Sequence, residues 1–234
     1  MNNPHPVVTH EDWLKARRDL LAKEKEFTRL RDELSRQRRE LPWEKVEKDY
    51  VFDGPNGPES LADLFAGKRQ LVVYHFMFGP DWEQGCSHCS FWADNFDGIV
   101  VHLKQRDTTL LAISRAPLAK LQAFRQRMGW RFRWLSSANT DFNIDYHVSL
   151  RPEERAAGTF FYNYTDTPVF ADEAHGISVF YRDDSGAIFH TYSTYARGLD
   201  MLNGAYHYLD LLPLGRNEAE GGSGWIKHHD RYPD

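Results

Sequence analysis

A near-continuous apolar run over residues 70–78 constrains the fold of this chain more than any other feature. Runs of strand length without regular polar alternation are typical of central strands that are covered on both faces. Residues 108–114 form a second run of the same kind. Two such strands need a layer on each side of the sheet, so the sequence predicts an α/β fold with a central sheet flanked by helices.

The segments that follow predict how this sheet is connected. Residues 117–128 begin with proline and precede a glycine, which is typical of a helix. Residues 131–135 alternate like a strand with one polar face. The clearest hairpin spans residues 177–192, and a closing helix is predicted over residues 199–211. Crossover connections make the early strands parallel and the hairpin adds an antiparallel edge, so a mixed sheet is expected.

Residues 9–41 predict one long charged helix before the sheet. Thr9 with Asp12 three residues later is a capping pattern, and neither glycine nor proline occurs between Val7 and Leu41. Large apolar residues recur at every seventh position: Trp13, Leu20, Phe27, Leu34 and Leu41. Two interpretations are open, a contact for a partner or a homodimer and a helix lying across its own domain. A coiled coil needs two apolar positions per heptad, and the second is mostly charged here.

The chain is expected to contain three parts. They are a long amphipathic N-terminal helix at 1–49, a domain with both cysteines at 50–212, and a glycine-rich, polar, irregular C-terminal tail at 213–234. Trp225 and Tyr232 are the expected anchor points of this tail. The neighbouring His228 and His229 are expected to be solvated, with metal binding as the less favoured alternative.

Composition excludes several classes of protein. The chain has 7 Trp, 11 Tyr and 15 Phe among its 234 residues, and disordered chains lack such aromatic content. The longest stretch without Asp, Glu, Lys or Arg is residues 185–196, shorter than the ~18 residues that a membrane-spanning helix needs. The N-terminus has no apolar run of signal-peptide length, so a cytoplasmic location without membrane contact is expected. A net charge of −5 argues against nucleic acid as a partner.

The chain has two cysteines, and they form a CxxC motif at Cys86 and Cys89. The motif follows the predicted central strand and precedes an amphipathic stretch, so it is expected at a helix N-terminus. Unpaired backbone N–H groups there favour the thiolate, which is the nucleophilic form. Cys86 is therefore predicted to attack a substrate and Cys89 to resolve the mixed disulfide. His88, if charged, stabilises the Cys86 thiolate; the alternative is that it points into solvent.

This context resembles the thioredoxin superfamily. Residues 53–74 are similar to the beginning of the domain in peroxiredoxin-like members. Three further segments, at 74–80, 190–200 and 209–216, together resemble a thioredoxin-like family long catalogued only as a domain of unknown function, here with a Cys-Ser-His-Cys motif. The resemblance covers nearly the whole chain and implies a thioredoxin-like sandwich. It says less about function, because a fold does not fix an activity.

The chain departs from these families at two places. Thioredoxins usually carry a cis-proline facing the CxxC, and here His175 and Gly176 hold that place. These two residues and Trp82 are the expected substrate-docking residues, although Trp82 could instead stack within the fold. Peroxiredoxins carry a proline and a threonine before the reactive cysteine, where this chain has Gly79 and Glu83. An efficient peroxidase is therefore not expected.

The leading functional hypothesis is a thiol–disulfide oxidoreductase that uses the Cys86/Cys89 pair. Its expected partners are a disulfide-bearing protein or a small-molecule thiol, together with a cellular reductant or oxidant that resets the pair. No cofactor is required for this chemistry. Arg197, just before the predicted closing helix, is expected to form a salt bridge or bind an anion.

Other functions fit the same residues. Two thiolates and a distal histidine suit copper or zinc, with Cys86, Cys89 and His190 as the ligand set. His175 and His75 are further candidates for that histidine. A weak peroxidase or redox sensor is a third possibility, and a non-catalytic scaffold that binds a partner through the long helix is a fourth.

Overall fold

The structure is a computed structural model that describes residues 5–218 and 222–233. The chain divides into two compact units, residues 1–42 and residues 43–234. No helix of the described residues is long and apolar enough to cross a membrane.

From residue 5 onward, the first unit contains a single helix, α1 (His10–Arg39). Its N-cap is Thr9, whose side chain accepts a hydrogen bond from the backbone N–H of Asp12 at 3.2 Å. Ion pairs such as that between Arg17 and Glu24, at 2.8 Å, line the helix surface. The prediction of one long charged helix is thus confirmed, and none of its residues is buried.

In its described residues, the second unit contains ten strands and a set of short helices. The strands are β1 (Glu44–Lys45), β2 (Val51–Gly54), β3 (Gly57–Ser60), β4 (Gln70–His75), β5 (Thr108–Ser114), β6 (Arg133–Ser136), β7 (Thr159–Tyr162), β8 (Thr165–Pro168), β9 (Gly176–Arg182) and β10 (Ile188–Tyr195). The helices are α2 (Leu61–Leu64), α3 (Ser87–Ala93), α4 (Phe96–Lys104), α5 (Leu118–Arg127), α6 (Phe142–Asp145), α7 (Pro152–Ala157) and α8 (Gly204–Leu209), with 3₁₀ helices at Ala196–Leu202 and His229–Arg231.

Eight of the strands form one mixed sheet in the order β1-β10-β9-β4-β5-β6-β2-β3, and β7 and β8 form a separate hairpin. β4 lies at the centre, parallel to β5 on one side and antiparallel to β9 on the other. β10 continues the antiparallel side and β6 the parallel side. A central strand that leads to a helix, with parallel strands beside it and an antiparallel hairpin beyond, is the thioredoxin-like arrangement that the sequence predicted.

Two apolar cores lie on opposite faces of the sheet, because successive side chains of a strand point to opposite faces. We call the first the cysteine-side core; its members include Tyr74, Phe76, Cys89, Trp92, Phe96 and Trp134. We call the second the far-side core; its members include Phe52, Leu71, Val73, Phe142, Tyr146 and Phe180. Side chains facing one core cannot reach the other through the sheet.

The prediction of one closing helix over residues 199–211 is wrong. The chain instead forms the 3₁₀ helix Ala196–Leu202 and then α8, with Asn203 between them. The Asn203 side chain accepts hydrogen bonds from the backbone N–H groups of Ala205 and Tyr206, at 3.0 and 3.3 Å. Asparagine competes with the backbone for such bonds and therefore starts a new helix here.

The expectation that His228 is solvated is also wrong. Its side chain is only 6% exposed, and its Nε2 donates to the carbonyl oxygen of Gly85 at 2.8 Å. Ile226 is buried in the cysteine-side core, and Asp230 pairs with Arg127 at 2.8 Å. Residues 222–233 are therefore packed against the body of the unit, next to the loop that precedes Cys86.

Substitution of Gly176 by alanine is expected to lower the free energy of unfolding by about 1–3 kcal/mol, the usual cost of overpacking a core. A Cβ at this position would lie 2.5 Å from Cδ1 of Tyr195. Urea denaturation measures the loss, and truncating Tyr195 to leucine is expected to recover part of it.

The matched control for that substitution is Gly98→Ala. Gly98 lies inside α4, and a Cβ there meets nothing within 4 Å. This variant is expected to be about 0.5–1 kcal/mol more stable than the parent, because glycine in a helix interior costs that much relative to alanine. Equal stability of the Gly176→Ala variant and the parent would contradict the packing argument.

Candidate active site

The loop after β4 fixes the position of the cysteine motif. The backbone N–H of Phe76 donates to the carbonyl of Ile113 at 3.0 Å, so the chain stays paired with β5 just beyond the strand end. Farther along, the N–H of Cys86 donates to the carbonyl of Met77 at 3.0 Å. This return contact brings Cys86 to the first turn of α3, with Cys89 one turn inside.

The two cysteines are both free and differ in environment. Cys86 is half-buried, whereas Cys89 is 1% exposed, and its sulfur accepts the N–H of Met77 at 3.4 Å. Hydrogen bonding from Cys89, and then from His88, lowers the pKa of Cys86 against the opposing effect of burial. Burial raises the pKa of Cys89, and the neighbouring Cys86 adds to that rise. At neutral pH the pair therefore holds its negative charge on Cys86.

His88 contacts Cys86 on one side and the C-terminal part of the chain on the other. Its Nε2 lies 2.7 Å from the hydroxyl oxygen of Ser223. The hydrogen bond with Cys86 raises the pKa of His88 against the opposing effect of burial. A raised pKa favours the imidazolium form, and the ring lies between Cys86 and Ser223 rather than pointing into solvent.

Cys86 opens onto a cavity of about 900 Å³. His88 and His175 both line it, as do the side chains of Trp92 and Arg197. The His175 ring lies 5.9 Å from the Trp92 ring, and burial lowers the pKa of His175. The sequence predicted His175 near the reactive sulfur. In the structure, its neutral ring lines the same cavity as Cys86.

The other two expected docking residues do not line this cavity. Trp82 packs partly buried against the cysteine-side core, and its carbonyl oxygen accepts the ammonium of Lys120 at 3.0 Å. Gly176 is buried at the start of β9, directly against the Tyr195 ring. Of the three residues, only His175 shares a cavity with Cys86.

The alternative metal set of Cys86, Cys89 and His190 does not form in this structure. The His190 ring contacts Tyr146 and Phe180 of the far-side core, on the face of the sheet away from the cysteines. Across residues 5–218 and 222–233, no group of three or more histidine, cysteine, aspartate or glutamate side chains is arranged to hold a metal ion.

His75, the other strand histidine considered for the metal, also faces the far-side core. Its ring stacks on Phe142 at 5.6 Å, and its Nε2 lies 2.8 Å from the hydroxyl of Ser178. Ser178 in turn lies 2.9 Å from Ser193, which contacts His190 Nε2 at 2.7 Å. The hydroxyl groups of Ser178 and Ser193 thus connect His75 to His190. This hydrogen-bonded series is separate from the cysteine pair.

Several residues of the site carried no sequence signal. Ser223 lies in a glycine-rich stretch that reads as an ordinary loop, and 135 residues separate it from His88. Arg216 holds both Asp200 and Asp210 at 2.8 Å, and its guanidinium lies 3.8 Å above the Tyr206 ring. The contact of Ser223 joins segments that are distant in sequence, and those of Arg216 depend on how the turns after α8 fold, so neither follows from a local sequence pattern.

Comparison with known proteins agrees with the resemblance read from the sequence. The family described as "Bacterial protein of unknown function (DUF899)" matches residues 2–232. The chain belongs to this family. No curated protein matches the chain.

Solved structures similar to this DUF899 chain include several peroxiredoxins. Peroxidoxin BcpB from Mycobacterium tuberculosis has 13% identity and a TM-score of 0.45, over 69% of this chain and 93% of its own. A cysteine-to-serine mutant of PrxQ from Xylella fastidiosa has 11% identity and a TM-score of 0.44, over 71% and 95%. The mitochondrial 2-Cys peroxiredoxin from Plasmodium falciparum has 14% identity and a TM-score of 0.42, over 70% and 93%. Similarity this distant says nothing about activity.

Replacing Ser223 by alanine is expected to raise the pKa of Cys86 by about 0.5–1 unit. Loss of a hydrogen bond worth ~1 kcal/mol frees His88 from its position beside the thiolate, and 1.36 kcal/mol corresponds to one pKa unit. Because thiolate forms as pH rises through the pKa, the midpoint of the reaction of Cys86 with iodoacetamide moves to higher pH.

Two variants control this measurement. Ser223→Thr keeps the hydroxyl and is expected to retain the low midpoint, while His88→Gln removes the cation and is expected to shift the midpoint further than Ser223→Ala. A Ser223→Ala profile that superimposes on that of the parent would show that Ser223 does not position His88.

Proposed function

We propose that this protein is a thiol–disulfide oxidoreductase with Cys86 as the nucleophile and Cys89 as the resolving cysteine. The observation that carries the proposal is the asymmetry of the pair. Cys86 faces a cavity and has a lowered pKa, whereas Cys89 is buried and has a raised pKa. A thiolate is the attacking species in disulfide exchange, so this asymmetry assigns the order of attack.

The exchange takes place in two steps. The Cys86 thiolate attacks one sulfur of a substrate disulfide, forms a mixed disulfide, and releases the other half of the substrate as a thiolate. Cys89 then loses its proton and attacks the Cys86 sulfur, forming the Cys86–Cys89 disulfide and releasing the second half. The substrate gains two electrons and the cysteine pair loses them, and an external dithiol reductant returns the pair to the reduced state.

The environment of Cys89 supports this order. In the reduced protein the neighbouring Cys86 contributes to the raised pKa of Cys89, which stays protonated. Once Cys86 is in a mixed disulfide its negative charge is gone, and that contribution is lost. The backbone N–H of Met77 still points at the Cys89 sulfur, where it stabilises a thiolate. Cys89 therefore becomes reactive after the first step rather than before it.

His88 supports the same assignment from the other side of the pair. As an imidazolium it stabilises the Cys86 thiolate, and a more stable thiolate is also a better leaving group. A pair with a stabilised thiolate on the cavity-facing cysteine has a more oxidising reduction potential than an ordinary dithiol. His88→Gln is accordingly expected to make the potential more negative.

The test measures reduction of insulin or of a small aromatic disulfide in the presence of dithiothreitol. Cys86→Ser is expected to lower the enzymatic rate at least a hundredfold, to the background of dithiothreitol alone, because no other described thiol faces the cavity. In a single turnover without dithiothreitol, pre-reduced Cys89→Ser is expected to release one thiolate per chain and to accumulate a mixed disulfide at Cys86, which mass spectrometry detects. A Cys86→Ser variant that turns over as fast as the parent would contradict the proposal.

A further inference from the structure

The cavity above Cys86 is a recess with walls from three separate parts of the second unit. Met77 comes from the loop after β4, His175 and Arg197 from the two ends of the β9–β10 hairpin, and Arg216 and Ser223 from the C-terminal region. Its volume of about 900 Å³ lies within the ~300–1,000 Å³ typical of small-molecule sites. A thiolate in such a recess is reached easily by a small disulfide, whereas a folded protein must insert a protruding loop.

Arg216 and two aspartates of the lining are paired with each other, whereas Glu218 is hydrogen-bonded to a neutral side chain. Arg216 binds Asp200 and Asp210, both at 2.8 Å. The Glu218 carboxylate accepts the indole N–H of Trp225 at 2.7 Å. With two carboxylates already bound, Arg216 offers little capacity for binding an anionic substrate.

Arg197 differs from the other charged side chains of the lining. Its side chain is 89% exposed, and its contact with Asp200 is long, at 3.4 Å. That carboxylate is already held by Arg216. A guanidinium carries five N–H donors in a fork that matches a carboxylate, so most of the donors of Arg197 are available to a bound anion.

The backbone beneath Arg197 is held in an unusual conformation that fixes its place at the cavity rim. Ala196 has φ 48°, in the left-handed region that non-glycine residues seldom adopt. Two contacts hold it there. The Ala196 N–H donates to the Tyr162 hydroxyl at 3.0 Å, and its carbonyl accepts from His175 Nε2 at 3.4 Å. The turn at the end of β10 thus places Arg197 beside His175 in the lining of the cavity.

We propose that the cavity takes low-molecular-weight disulfides that carry a carboxylate, with Arg197 binding that carboxylate while Cys86 attacks the disulfide. The inference rests on the proposed thiol–disulfide exchange and names its substrate class. The chemistry is the exchange already described: one small disulfide and the reduced cysteine pair give two small thiols and the Cys86–Cys89 disulfide. A dithiol reductant supplies the two electrons for the next turnover.

Three small disulfides of similar size and different charge test the substrate class. They are dithiodiglycolate with two carboxylates, cystine with a carboxylate and an ammonium on each half, and cystamine with two ammonium groups. Each kcat/KM is divided by the rate of the same disulfide with dithiothreitol alone, which removes differences in intrinsic reactivity. The normalised values are expected to be highest for dithiodiglycolate and cystine, and lower for cystamine and for insulin.

Arg197→Ala identifies the residue responsible. It is expected to lower kcat/KM about fivefold for the two carboxylate-bearing disulfides, the effect of losing one solvent-exposed charge pair. It should not lower kcat/KM for cystamine, whose ammonium groups the guanidinium repels, and should lower kcat/KM for insulin less than for the two carboxylate-bearing disulfides. Arg197→Lys keeps the charge and is expected to recover part of the loss, and the preference should weaken at ~0.5 M salt, where exposed charges are screened.

Arg131→Ala is the matched control. Arg131 is another arginine of the second unit, 85% exposed at the side chain, and it lines a different pocket. It changes the net charge by the same amount and is expected to leave the order of the three disulfides as in the parent.

The outcomes separate this inference from the function on which it rests. If the parent accelerates none of the disulfides, the oxidoreductase proposal fails. If the parent turns over all of them and Arg197→Ala lowers every rate equally or none, the oxidoreductase stands and the carboxylate specificity is overturned. Insulin reduced with a higher normalised kcat/KM than dithiodiglycolate would overturn the assignment to small disulfides.

Discussion

Pairing of β4 along both of its edges is the constraint on which the rest of the structure depends. The strand is parallel to β5 and antiparallel to β9, and its last residue, His75, lies opposite Ile113 and Gly176. Buried backbone groups must be paired, and a shift of β4 by one residue would turn its side chains to the wrong face of the sheet, so the register is fixed. The carboxyl end of β4, the start of β9 and the end of β10 therefore meet at one edge of the sheet. Cys86, His175 and Arg197 come together because each follows or precedes one of these strand ends.

The sequence predicted the central sheet and the helix starts because the sequence signals for these elements are local. Apolar runs mark β4 and β5, alternation marks the hairpin, and a capping residue marks the start of α1. The cysteine spacing, read together with the preceding strand, also predicted that Cys86 lies at the start of a helix and Cys89 one turn inside. The positions of the two cysteines on the predicted helix thus indicated that their environments differ. The structure shows the contacts that lower the pKa of Cys86 and raise that of Cys89.

The remaining features of the site depend on contacts that no local pattern encodes. The place of His190 on the last hairpin made it a candidate metal ligand. A strand side chain faces only one side of a sheet, however, and His190 faces the far-side core. The polar C-terminal stretch looked like a solvated tail, yet it buries His228 against the Gly85 carbonyl. In each case, long-range packing overrides what composition alone suggests.

The place of Ser223 in the chain has a consequence for how the protein is made. Synthesis proceeds from the N-terminus, so Cys86, His88 and Cys89 are all in place on the nascent chain while Ser223, 135 residues after His88, does not yet exist. Throughout that interval His88 lacks the hydroxyl that holds it, and the Gly85 carbonyl lacks His228. The thiolate of a newly made chain is correspondingly less stabilised. These two contacts can act on the cysteine motif only after the C-terminal segment has docked against the loop before Cys86.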